Sequence, residues 1–159
     1  MMKWLTATAA GLAAGLVMFI VLAVGTHTGM APFNTPPSGA FLTAIGLDSE
    51  PLALLFHFGY AAAGSILLVL LFDARTGVSQ GIGLALVLWL VLMVVFSPII
   101  GWGVFGVGGP NHALPPNSPL YLGLASKYIV LTLVLHIVYG GIIGQANHWI
   151  NSVDEKSQS

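Results

Sequence analysis

The sequence contains no cysteine. Disulfides, thiolate metal sites and cysteine nucleophiles are therefore excluded. Charge is almost as scarce. Lys and Arg number 4 and Asp and Glu 5 in 159 residues, 6% of the chain. A soluble domain carries roughly 25% charged residues, so these few cannot cover a water-facing surface of this size. Net charge is -1, which leaves no basic patch for a nucleic acid. The five histidines have no Ser-His-Asp set or carboxylate pair beside them. That argues against an ordinary hydrolase or transferase, and the reading leans away from an enzyme.

Apolar residues are abundant. They make up 57% of the chain, and mean hydropathy is +0.94. Lipid is the solvent this composition suits. A transmembrane helix needs about 20 mostly apolar residues. Four stretches qualify: Trp4–Val24, Pro51–Phe72, Gly81–Ile100 and Tyr128–Ile143, the last running on toward Trp149. None contains an Asp, Glu, Lys or Arg. The runs are continuous rather than alternating, which favours helices over barrel strands. The first stretch follows Lys3 and ends near Ala23-Val24-Gly25, as a signal peptide does. Its apolar run exceeds the usual core of about 7–15 residues, so retention as a span is expected.

Four spans put Lys3, Arg75 and Lys156 on one side and Lys127 on the other. The excess of positive charge places both termini in the cytoplasm. The outer segments, Thr26–Glu50 and Gly101–Lys127, are rich in proline. Within them, Gly39–Leu47 and Leu120–Ala125 read as short interfacial helices. Trp4, Trp102 and Trp149 fall at span ends, as aromatic belts do. Pro98 is expected to break the last turn of the third span, and the glycines after it suit a tight helix-to-loop turn. The tail, residues 150–159, is polar and expected to fray.

The second half repeats the first at an offset of 79. Pro36 and Pro37 fall on Pro115 and Pro116, His57 on His136, and Tyr60 on Tyr139. The fold class is thus all-α, a bundle of four transmembrane helices made of two parallel duplicated helix pairs. Repeat one covers residues 4–72 and repeat two 81–149. Parallel repeats are related by an axis along the membrane normal.

His57 and Tyr60, three residues apart, share a helix face with Gly64. His136, Tyr139, Gly140 and Gly144 build a similar stripe. Polar groups in lipid turn inward, and small residues let helices approach. The stripes therefore mark a seam. In the structural reading, each histidine holds a hydrogen bond across it. In a sharper one, His57 and His136 are the axial ligands of a haem b, with Tyr60 and Tyr139 beside it. A third makes the seam a transport path for an ion or small solute. His27 and His112, in the outer segments, are candidate ligands for a metal in a four-histidine constellation. Gly11 and Gly15 form a G-x-x-x-G suited to helix contact within the chain or with a second copy.

Pro98-x-x-Gly101-x-Gly103-x-Phe105, followed by Leu135-His136-x-x-Tyr139-Gly140-x-x-x-Gly144, resembles a family of small four-helix prokaryotic integral membrane proteins of unknown function. His57-Phe58-Gly59-Tyr60 resembles its first-half counterpart, with Ala61 in place of the glycine at Gly140. The resemblance implies a four-helix fold in a prokaryotic cytoplasmic membrane and no particular activity. The expected function is a non-catalytic bundle that serves as an accessory subunit or self-associating component of a membrane complex. Its expected partners are the lipid bilayer and other membrane subunits or a second copy.

Overall fold

The computed structural model describes residues 2–158, with side chains over residues 3–149. Six α-helices follow in chain order: α1 Met2–His27, α2 Pro37–Ala44, α3 Glu50–Phe72, α4 Val78–Val91, α5 Ser97–Ile100 and α6 Ala125–Gln158. Among the described residues there is no strand, only an isolated antiparallel bridge between Phe33 and Leu122. Four helical stretches are long and apolar enough to cross a membrane: Lys3–His27, Glu50–Arg75, Val78–Ile100 and Ala125–Trp149. Helices satisfy their backbone groups internally, which hydrocarbon requires. The local signals agree with these limits. Pro51 follows Glu50 at the start of α3, where a missing N–H costs nothing and an acid suits the helix dipole. Gly101, in the left-handed region at φ 91°, closes α5.

Pro98 does not break the last turn of the third span. A π-helical turn, Leu92–Phe96, joins α4 to α5, and the helix continues to Ile100. Proline lacks an N–H and crowds the carbonyl four residues back. A wider turn just upstream absorbs both effects without breaking the helix.

Two compact units divide the chain. The first is built from Met1–Met18, Phe58–Leu88 and Leu135–Ser159. Its core holds Ala14, Ala61, Leu68, Leu84, Ala85, Tyr139 and Ile143. Two close helix contacts organise it. Where α1 meets α3, a methyl group on Gly11 would lie 2.6 Å from the Ala61 carbonyl oxygen and 2.9 Å from Ser65 Cβ. Where α4 meets α6, one on Gly81 would collide with the Gly140 carbonyl oxygen and lie 2.9 Å from Gly144 Cα. Such approach lets two backbones gain dispersion contacts that larger side chains would prevent. Lys3 at the start of α1 donates to Asp73, just past the end of α3.

The second unit is Phe19–His57 with Trp89–Val134. Its interior is aromatic. Trp102 and Tyr128 are fully buried, and Phe33 is 2% exposed. Trp102 stacks on Phe33 at 5.9 Å and meets Tyr128 edge-on at 5.2 Å. Phe41, Phe56 and Phe96 form a second cluster with centroids 4.9–6.1 Å apart. The proline-rich connections are stitched together by backbone. Gly123 N–H donates to Pro32 O at 2.7 Å, and the Asn34 amide donates to the carbonyls of Pro116 and Ser118.

Two expectations are corrected here. The short helix expected at Leu120–Ala125 does not form. Leu122 instead lies extended against Phe33, and helix begins only at Ala125. A nonlocal partner for the backbone outcompetes one isolated helical turn, which costs most of its nucleation entropy for a single bond. The other short helix does form, as α2, with Pro37 at its start. Trp102 is no belt residue: it is fully buried, and its indole N–H donates to Leu120 O at 2.8 Å. Trp4 and Trp149 are exposed, as a belt requires.

Candidate functional site

The polar side chains within the spans define the site, since each must find a partner in a medium that offers none. In the first unit, Tyr139 on α6 is 3% exposed and its hydroxyl donates to Ala61 O on α3 at 2.5 Å. Gly64 provides the room, because a methyl group there would stand 2.5 Å from that hydroxyl. Tyr60 reaches Leu88 O through a long 3.4 Å contact. Asn147 and Ser65, both buried, form a further bridge. The Asn147 amide donates to Ser65 Oγ at 3.0 Å and to Ile143 O at 2.7 Å. His148 Nδ1 lies 3.2 Å from Thr76 O, so that nitrogen carries the proton in the bond.

The second unit has its own set. The Trp89 indole N–H donates to Thr132 Oγ1 at 3.1 Å, and the Thr132 hydroxyl donates to Tyr128 O at 2.7 Å. The glycine-rich segment after α5 folds on itself rather than opening. Ser97 Oγ donates to Gly103 O at 2.8 Å, and the Asn111 amide donates to Ile100 O at 2.5 Å. His112 Nε2 lies between Gly106 O at 2.8 Å and Trp102 O at 3.3 Å, which makes it a donor. Gly103, at φ 81°, packs its α-carbon against Val107 O, where any side chain would collide. Phe105 holds φ 54°, an uncommon value for a bulky residue. The buried hydroxyl of Tyr128 makes no hydrogen bond of ordinary geometry; Ser97 is the side chain beside it.

The candidate residues fall as follows. His136 is buried in the first unit at 6% exposure. His57 is half-buried in the second, its ring 6.0 Å from that of Phe19. Tyr60 and Tyr139 are both in the first unit. His112 is engaged with loop carbonyls, and His27 closes α1. Among the described residues, no three His, Asp or Glu come together as a metal would need. The four-histidine constellation is therefore not formed. Gly11, Gly15, Gly64, Gly140 and Gly144 each face another helix of the first unit at close range. The Asn147–Ser65 and Trp89–Thr132 bridges were not foreseen. Asn147 does continue the stripe of Tyr139, Ile143 and His136 along α6, and that spacing is the signal for it.

No protein-family model matches the chain, and no curated protein or solved structure does either.

Proposed function

We propose that the chain is a non-catalytic component of a membrane complex, an accessory subunit built from two duplicated, parallel helix pairs, with both termini in the cytoplasm. One observation carries this reading: polar side chains of the spans are spent on joining helices to one another. Tyr139 bonds Ala61 O, Asn147 bonds Ser65, and Trp89 bonds Thr132. Such bonds average about 0.6 kcal/mol in membranes and serve to fix register.

The duplication draws support from matching contacts. Gly11 packs on Ala61 and Ser65, and Gly81 packs on Gly140 and Gly144. Adding 70 to the first glycine and 79 to its partners converts one set into the other. The pair Gly15 and Ala61 likewise corresponds to Ala85 and Gly140, with an implied methyl separation of 2.8 Å in both. Small residue and glycine have exchanged places across an equivalent contact. The orientation draws support from the Lys3–Asp73 pair, which joins the chain's start to the loop carrying Arg75.

The test is extraction of the tagged full chain in mild detergent, followed by identification of co-purifying polypeptides and an absorbance spectrum. A membrane polypeptide retained in fixed proportion is the expected result. A lone monomer would overturn the proposal. A Soret band would replace it with the haem reading of His57 and His136.

A further inference from the structure

An open groove of about 500 Å³ lies in the second unit, lined by Met30 and Pro32 after α1 and by Ser126, Lys127, Val130, Leu131 and Val134 of α6. We propose that this groove holds one anionic phospholipid, with its phosphate against Lys127 and an acyl chain along Val130, Leu131 and Val134.

Three observations specify that occupant. The first is charge. Lys127 is exposed, no acidic residue lines the groove, and the ion pair among the described residues belongs to Lys3 and Asp73 instead. A lone ammonium beside an apolar wall selects a ligand that is anionic at one end. The second is spacing. Lys127, Val130, Leu131 and Val134 stand at i, i+3, i+4 and i+7, one face of the helix. The stripe descends about 10 Å from the cation. That is roughly two-thirds of one leaflet of a hydrocarbon core about 30 Å thick. The third is depth. Lys127 is in the first turn of α6, at the end of a membrane span, where a lipid headgroup lies. Ser126, exposed beside it, adds a hydroxyl donor. Val130 and Val134 are 59% and 51% exposed, so the wall below the cation is open to lipid. A helix from another protein would have to bring its own acid to this wall or leave the ammonium unpaired in an apolar contact.

The full chain in mild detergent is offered phosphatidylglycerol and phosphatidylcholine of identical acyl chains, and bound lipid is counted by native mass spectrometry. Retention of phosphatidylglycerol should exceed that of phosphatidylcholine by about fivefold, the worth of one basic residue near a lipid surface. Lys127→Gln should bring the two to parity and Lys127→Arg should keep the preference. Leu131→Trp, which fills the groove, should lower retention of both lipids. Millimolar inorganic phosphate should displace neither. The proposal is overturned by equal retention on the unaltered chain or by a preference that survives Lys127→Gln. It is also overturned by displacement with inorganic phosphate alone, or by a protein dimer that Lys127→Gln dissolves.

Discussion

The Tyr139 hydroxyl donates to the carbonyl of Ala61, 2.5 Å away on a neighbouring helix, while the hydroxyl of Tyr128 on the same helix makes no hydrogen bond of ordinary geometry and has Ser97 as its nearby side-chain partner. Two buried tyrosines on α6 thus stand in unequal energetic positions. Removing the Tyr139 hydroxyl deletes a bond. Removing that of Tyr128 deletes a buried hydroxyl whose contact with Ser97 falls short of an ordinary hydrogen bond, so less is lost. Tyr139→Phe should destabilise the chain by about 0.6 kcal/mol, and by at most about 1.7. Tyr128→Phe should cost less than Tyr139→Phe. Unfolding equilibria in mixed micelles measure both, and equal losses would contradict the assignment.

Two glycines of α4 are predicted to differ just as sharply. Gly81 has the Gly140 backbone against it, whereas nothing lies within 4 Å of the position a side chain on Gly83 would take. Gly81→Ala forces α4 from α6 and should cost at least about 1–3 kcal/mol. Gly83→Ala should be neutral or stabilising, since alanine exceeds glycine in helix propensity by about 1 kcal/mol. Thermal inactivation in detergent, read by loss of monodisperse protein, separates them.

The Ser65–Asn147 bridge is suited to a double-mutant cycle. Ser65→Ala, Asn147→Ala and the double variant should give a coupling near 0.6 kcal/mol, the typical membrane value. A coupling of zero would mean that the amide's other bond, to Ile143 O, carries all of its worth.

Trp102→Ala should be among the most damaging single changes in the chain. The ring is fully buried between Phe33 and Tyr128, and its N–H is bonded to Leu120 O. Truncating a buried tryptophan costs about 3–5 kcal/mol. Trp4→Ala, at an exposed ring, should cost far less. Similar losses for the two would restore the belt reading of Trp102.

The contrast between Trp102 and Trp4 shows where the sequence was legible. Span number and limits follow from apolar run length, because hydrocarbon thickness is a one-dimensional constraint. Whether a tryptophan just past a span faces headgroups or a protein interior depends on what folds over it. For Trp102 that is Phe33, far away in sequence, and no local pattern encodes the meeting. Leu120–Ala125 departs from its local pattern for the same reason: the partner of Leu122, Phe33, is nonlocal. Pro98 was half legible. The break it demands is visible in the sequence, but the helix resolves it upstream, in the π turn Leu92–Phe96. At the site, the spacings of Gly11 and Gly15 on α1, of Tyr60 and Gly64 on α3, and of His136, Gly140 and Gly144 on α6 are each readable as a helix face. The partner each would find is not.

The seating of Gly11 and Gly15 against α3 changes what the first helix can offer to other proteins. A paired-glycine notch is commonly a docking groove for a second helix, yet here the chain has filled the notch itself. What α1 turns away from α3 in the first unit is a ridge of Leu5, Leu12, Leu16 and Val17, all substantially exposed. Any neighbour recruited there must fit around branched knobs. Selection of a companion along this helix would then depend on side-chain shape, with little help from close backbone approach.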